Sequence, residues 1–467
     1  MTSVPSTPFH RHAERLLLGD LRQRLAHETD PLSRVKIRIE IVHLYRKICL
    51  MKNARHELMG AFHDLSIHYP ANRFKALGPI LIDVARLWRA RKNILPEELS
   101  MRTILFEEAG LSAYYLRDFF SMAFCVVGAF LPAFLRRPGP DWATWAGASA
   151  CALALLKMRG GVRALHKALD KTVSAVNTNE IRSRSAMWKA LAHEYLGDPT
   201  LADQDFRISL PHSNQTDRRL ITFTLCCNLN LRGHAKEIFD APLGGAALFP
   251  AGDALEWCTL PGLAWLGREE EKGDILRRSR AIFCANNAEA WLIAQYGGNV
   301  LLSSYLSGLW DEEEINDCIS RVRMMGLRPW EMHVEASHVL VGEAYIEMTR
   351  ALREGAPPST RKNYRRALGR LAQSFPHPSL KIHELLIRAI DAAACQNRTS
   401  FSHFLFRSER LAQKTDNDWA RFEIFRLRAL AADPEEATRF LAQAESLAQS
   451  KKWRRHPPAV ELLRTIL

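Results

Sequence analysis

Apolar residues recur at three- and four-residue intervals along most of the chain, the spacing that lines one face of an α-helix. A first helix is expected over 10–28 around LLLGDLRQRLA, and Asp30-Pro31 restarts the chain after it. Val35, Ile37, Ile41, Leu44 and Ile48 follow the same spacing in a helix over 32–51. A turn at Lys52-Asn53 then leads into 54–67, which carries Leu58, Met59, Phe62 and Leu65. Tyr69-Pro70 ends that helix, because a residue preceding proline avoids helical angles. Over 77–92 the pattern puts Leu81, Val84, Ala85 and Leu87 on one side. Pro96-Glu97-Glu98 opens the next helix with proline and negative charge in its first turn, and it runs on towards Leu116.

The periodicity is then swamped by two uncharged apolar stretches, FFSMAFCVVGAFLPAFL and WATWAGASACALALL, joined by RRPGPD. They are 17 and 15 residues long, about 26 and 22 Å as helices, against roughly 30 Å of bilayer hydrocarbon. Trp142 and Trp145 sit beside the polar turn. Basic residues outside the pair (Arg102, Arg117, Lys157, Arg159, Arg163, Lys167, Lys171) outnumber Arg136 and Arg137 in the turn. Small residues recur at Cys125, Ala129 and Ala133 and at Ala143, Gly147 and Cys151, which permits close helix contact. The expectation is a transmembrane hairpin that carries Phe119, Phe120, Phe124, Val126, Phe130, Leu131, Phe134, Trp142, Trp145, Leu153 and Leu155. Both termini would then be cytoplasmic. The competing reading is a helix pair buried inside the protein.

Beyond the hairpin, alanine-rich helices alternate with glycine turns at Gly197, Gly233, Gly267 and Gly308, spaced 36, 34 and 41 residues apart. Two helices of about 12–14 residues with their turns fill roughly 34 positions, and glycine lets the chain reverse tightly between them. On EYLGDPTLADQDF, LAWLGREEEKGDIL and YLSGLWDEEEINDCI, with small Ala190, Ala192 and Ala264 where helices cross, residues 185–320 resemble divergent tetratricopeptide-type repeats. The family's early tryptophan is not regular here, its closing proline occurs once, at Pro211, and an insertion at Ala241–Asp253 breaks the period. The resemblance implies an α-solenoid that binds protein and names no ligand.

The remainder is also helical. Glu331–Glu354 forms one long helix or two, Gly355-Ala356-Pro357-Pro358 stops it, and Ser359 or Thr360 is placed to cap the next. Asp433-Pro434 starts a late helix with Glu435 and Glu436 behind the proline. This ending, with a basic tryptophan segment at Lys451–His456, is similar to helical regulatory regions of bacterial signalling proteins, including non-catalytic arms of kinases and signalling ATPases.

Composition changes the picture little. The chain has 467 residues and a net charge of +13, which favours anionic partners such as anionic lipid, yet no nucleic-acid motif accompanies it. Nine cysteines in irregular, mostly apolar settings suit free thiols in a reducing cytosol. The first twenty residues lack the apolar core of a signal peptide, so export is not expected. No phosphate-binding loop, dinucleotide fingerprint, zinc-protease motif or nucleophile elbow is found. His333 and His338 bracket Glu335 at a spacing that does not share a helical face. His10 and His12 read as solvated, and Cys226-Cys227 as core. The run Asp311–Glu314 complements a helix N-terminus.

The expected architecture is therefore all-α, an α-solenoid of antiparallel, TPR-like helix pairs interrupted by the hairpin. Its parts would be a helical unit at 1–110, the hairpin at 111–160, repeats at 161–330 and further repeats at 331–467. The expected function is a non-catalytic adaptor, without metal or cofactor, that the hairpin holds at the inner membrane while the repeats bind a protein partner. The alternative is a cytoplasmic regulatory arm of a signalling system with the hairpin buried.

Overall fold

The computed structural model describes residues 8–47, 50–69, 77–91, 93–116, 118–213, 215–239, 256–284, 290–309, 311–326, 328–329 and 334–466. Among them are 23 α-helices, a few short 3₁₀ turns and no strand. The chain divides into two compact units, residues 1–221 and 222–467, with the boundary inside one helix, Gln215–Arg232.

Unit 1 contains α1 (Pro8–His27), α2 (Pro31–Lys47), α3 (Met51–Asp64), α4 (Leu77–Ala90), α5 (Pro96–Leu116), α6 (Phe119–Leu135), α7 (Pro140–Leu155), α8 (Arg159–Val176), α9 (Asn179–Leu196) and α10 (Pro199–Ser209). Sequence neighbours pair as α2 with α3 and α9 with α10, while α6 lies along α5 and α7 along α9. One core joins Val35, Ile41, Leu58, Phe62, Leu105 and Phe124. Phe62, Phe106 and Phe124 meet edge-on or tilted at 5.1–6.1 Å, the geometry that the ring quadrupole favours.

Unit 2 continues with α11 (Gln215–Arg232), α12 (Ala235–Phe239), α13 (Leu260–Trp265), α14 (Glu269–Phe283), α15 (Ala290–Ser307), α16 (Glu312–Met324), α17 (Val334–Arg353) and α18 (Lys362–Ala372). It ends with α19 (Pro378–Ala394), α20 (Arg398–Thr415), α21 (Asp418–Ala431), α22 (Pro434–Ser450) and α23 (Ala459–Ile466). Each odd-numbered helix from α13 to α21 packs on the next odd-numbered one and on the even-numbered helix that follows it. This is a stack of antiparallel pairs. Asp311 and Asp433 cap α16 and α22, accepting hydrogen bonds from backbone N–H groups two or three residues on.

Several local expectations are corrected. Lys52 and Asn53 lie inside α3. Val334–Arg353 is one helix. Ser359 and Thr360 form a 3₁₀ turn and do not cap α18, whose N-cap is Arg361. Leu81 faces outwards, because Ile80, Val84 and Leu87 already supply the inward stripe of α4. The insertion at 241–253 lies outside the described residues.

The expected bilayer span is not supported: among the described residues, no helix is long and apolar enough to cross a membrane. With 17 and 16 residues, α6 and α7 rise about 26 and 24 Å, and protein flanks both. Their small residues meet large ones on neighbouring helices. A Cβ at Gly147 would lie 2.2 Å from Trp188 of α9, and one at Gly128 would lie 2.3 Å from Phe106 of α5. The pair is a packed part of unit 1.

Candidate functional site

The hairpin residues separate by direction. Phe124 and Leu131 are buried, Val126, Phe134, Trp142, Trp145, Leu153 and Leu155 are half-buried, and Phe120 and Phe130 are exposed. The side chain of Phe119 lies outside the described residues. Two polar groups of the pair are matched locally. Asp118 caps α6 by accepting from Ser121 N–H at 3.1 Å and from its hydroxyl at 2.8 Å, with Arg55 3.1 Å away. Trp145 Nε1 donates to the Val126 carbonyl at 2.9 Å, which ties α7 to α6.

Beneath the hairpin, α5 carries two adjacent buried carboxylates with opposite electrostatics. Burial raises Glu107 to about 7, against the opposing pull of Arg184, whose Nη2 is 3.2 Å away. Burial acts on Glu108 in the same sense, but Arg46 and His43 overcome it and hold that carboxyl at about 2. His43 Nε2 is 3.1 Å from Glu108, and Arg46 also donates to Ser112 Oγ at 3.0 Å. Against Glu107 lies a cavity of about 80 Å³ between α5, α6, α7 and α9, lined by Phe106, Cys125, Trp145, Cys151 and Trp188 among others. Thr144 Oγ1 and Trp188 Nε1 at its wall are buried without hydrogen-bond partners. A benzene-sized guest needs roughly 150 Å³, so the space is a packing gap able to hold water and not a ligand pocket. Burial pushes the Cys125 and Cys151 thiols up, which leaves no thiolate nucleophile there.

In unit 2 the chain turns through left-handed glycines at Gly233, Gly267 and Gly308, with φ of +77°, +66° and +68°; Gly197 of unit 1 has φ +81°. Gly233 is constrained twice over, since a Cβ there would also meet Trp453 at 2.8 Å and the Trp419 backbone nitrogen at 2.9 Å. Around it the pairs close on one aromatic cluster. Trp265 stacks on Trp453 at 4.1 Å, Tyr305 on Tyr345 at 4.3 Å, and Trp419 meets Tyr345 at 5.4 Å and His383 at 4.3 Å. Backbone oxygens left over at helix ends are satisfied by these side chains: Trp453 Nε1 donates to the Gly233 carbonyl at 3.1 Å, and Asn417 donates to the Leu231 carbonyl at 3.0 Å. His383 Nε2 faces that same Leu231 oxygen at 2.9 Å, so it carries the proton and Nδ1 accepts from the Tyr345 hydroxyl at 3.1 Å. Burial lowers His383 to about 4 and His338 to about 3, so both rings are neutral structural donors near pH 7. Glu423, fully buried, is raised by burial to about 7 although Arg426 lies 3.3 Å away.

His234, Asp416 and Asp418 form a group whose donor atoms all lie within 4.8 Å of one another, the only set among the described residues with metal-like spacing. Its charges are already matched. His234 Nε2 is 3.1 Å from Asp418 and Nδ1 is 3.1 Å from Glu237; Arg421 reaches both aspartates at 3.0 Å, and Lys451 pairs with Asp418. Burial would lower His234, but hydrogen bonds to Asp418 and Glu237 raise it on balance. A cation would have to expel the Lys451 ammonium. The arrangement is better suited to pinning the start of α21 against the Gly233 turn.

Other sequence candidates stay apart. Cys226, Cys227 and Cys258 are buried thiols outside any disulfide and Cys395 is exposed, while Cys49 lies outside the described residues. His333 and the side chains of His10, His12 and Glu335 also lie outside them. The aromatic cluster went unread in sequence because its members come from different helices; the recurrence of Trp265, Tyr305, Tyr345, His383, Trp419 and Trp453 at 34 to 40 positions was the available signal. Charge is likewise uneven: residues 1–221 hold 32 Lys and Arg against 21 Asp and Glu, net +11, and 222–467 hold 32 against 30, net +2. No family model, no curated protein and no solved structure matches the chain, so the reading of its function rests on this geometry.

Proposed function

We propose that this chain is a non-catalytic helical-repeat scaffold that binds a protein partner. The observation that supports the reading is the stack of antiparallel pairs in unit 2, turned by left-handed glycines at repeat-length spacing. Such stacks present long surfaces made of successive helices, and their side chains there are free to vary without disturbing the core. The buried polar groups fit a scaffold as well: His338, His383, His234 and Glu423 are committed to backbone oxygens or to fixed ion pairs. The tetratricopeptide-type resemblance belongs to this proposal, as does the role of regulatory arm for a kinase or ATPase. The seating of the hairpin between α5 and α9 favours that second role over an anchored adaptor.

Affinity purification of the full chain, repeated reciprocally from each candidate partner, tests the reading. A stoichiometric protein that is recovered in both directions is expected. Reproducible failure to recover one, or a turnover activity retained by the pure chain, would overturn it. A partner with kinase or ATPase chemistry would select the regulatory role.

A further inference from the structure

Unit 1 exposes apolar side chains that its own core does not need. Of the 17 large hydrophobic side chains exposed among the described residues, 13 lie in residues 1–221. The densest group is on α4. At about 100° per residue, Ile80, Val84 and Leu87 form its inward stripe, and Leu81, Ala85 and Trp88 form a second stripe beside it. That second stripe and the adjoining Ile82 are uncovered: Leu81 is 59% exposed, Ile82 54% and Trp88 46%. From α6, Phe130, 39% exposed, and Phe134 join Leu81 and Trp88 around one open apolar groove.

The rim of this face is cationic. Arg86, Arg89 and Arg91 follow one another along α4 and its end, all exposed, and Arg137 extends from the end of α6. Two of them lie over the aromatic rings of the patch, Arg91 at 4.3 Å from Trp88 and Arg137 at 3.8 Å from Phe134. The acidic residue on described α4 is Asp83, mostly buried and already facing Arg86 at 3.6 Å and the His68 N–H at 3.3 Å. Arginines ringing an aromatic and aliphatic centre on an amphipathic helix match the two layers of a lipid interface, with anionic headgroups outside and acyl chains beneath. The net +11 of this unit adds attraction to an extended negative surface, which one acidic protein patch would not use as fully.

We propose that the face shared by α4 and α6 docks on an anionic lipid bilayer and rests in its headgroup layer without crossing it. This goes beyond the scaffold reading and stands or falls separately from it.

Flotation of the purified full chain with vesicles of phosphatidylcholine, alone or mixed with phosphatidylglycerol, tests the proposal. Binding to the mixed vesicles is expected, at least ~tenfold weaker on the neutral ones and weaker again at ~0.5 M salt. Leu81→Asp/Trp88→Asp and Arg86→Glu/Arg89→Glu should each lower binding by at least ~tenfold with the helical circular dichroism unchanged, while Phe406→Asp in unit 2 should not. If the apolar variant misfolds, the charge variant and the lipid and salt series decide. Failure of the parent chain to float on anionic vesicles, or equal flotation of the parent and the charge variant, would overturn the proposal. So would light scattering that shows a dimer which only the α4 variants dissociate, because a second copy would then cover the face.

Discussion

The two units use the same helical vocabulary to different ends. Unit 2 is nearly neutral and turns its large aromatic residues inwards, where Trp265, Trp419 and Trp453 close helix ends that are far apart in sequence. Unit 1 is strongly basic, builds its largest apolar cluster from aliphatic residues, Tyr45 and three phenylalanines, and leaves tryptophan, leucine and phenylalanine on its surface. Equal numbers of cations therefore do different work. In unit 2 they are largely paired: Arg323 and Arg370 both hold Glu343, and Arg426 joins Glu423 to Glu461. In unit 1 an excess of cations over carboxylates remains. Composition averaged over the whole chain conceals this difference.

The largest expected effect tests whether the aromatic closure belongs to unit 2 alone. Trp419→Ala removes a fully buried ring at the centre of the cluster and should cost about 3–5 kcal/mol. Hydrogen exchange followed by mass spectrometry should show protection lost in 222–467 and kept in 1–221. Equal loss in both would mean that they unfold as one.

Each unit also holds one carboxyl raised to about 7, Glu107 and Glu423. The native state keeps a proton that the unfolded chain has released above its ordinary value near 4.5. The associated stability is fully present below that value and is lost as pH rises towards about 7, up to roughly 3 kcal/mol per site. Denaturant melts between pH 5 and 8 should show the decline, and Glu107→Gln should flatten it for unit 1 only. An unchanged slope would place the titrating group elsewhere.

Gly147→Ala drives a methyl group into Trp188 and should destabilise unit 1 by about 1–3 kcal/mol in thermal or denaturant melts. A neutral result would show that α7 and α9 are free to separate, and would break the assignment of the hairpin to the packed body. The smallest contrast lies between two turns of unit 2. Gly308→Ala meets no neighbouring atom and should cost only the left-handed backbone strain, about 1 kcal/mol. Gly233→Ala adds contacts with Trp453 and Trp419 and should cost measurably more. Equal costs would mean that the aromatic closure yields to a methyl group.

Much of the fold was legible in the sequence. Proline and acidic residues at Pro96-Glu97-Glu98, Asp311-Glu312 and Asp433-Pro434 mark helix starts through local hydrogen bonding and charge, which need no knowledge of the rest of the chain. The limits of α6 and α7 were legible for the same reason. Their environment was not. Uncharged helices with small residues every fourth position serve equally in lipid and in a protein interior, and the difference lies in Phe106 and Trp188 on helices that local pattern does not connect to them. Leu81 was misplaced because α4 carries two neighbouring apolar stripes and periodicity cannot say which one is covered. The His234, Asp416, Asp418 and Lys451 group was invisible because its members span more than two hundred positions.

The hydrogen bond from Trp453 to the Gly233 carbonyl joins residues 220 positions apart. During synthesis the helices of unit 2 can pair as they emerge, since each pair is local. The Gly233 turn, however, waits for almost the whole unit to be made before its cover arrives. Contacts of such long range form slowly, because the entropy of the intervening chain must be surrendered first. Until then Trp265 and Phe422 lack a neighbour and offer apolar surface to whatever is nearby, so a nascent chain halted before residue 453 is the species on which chaperones would act.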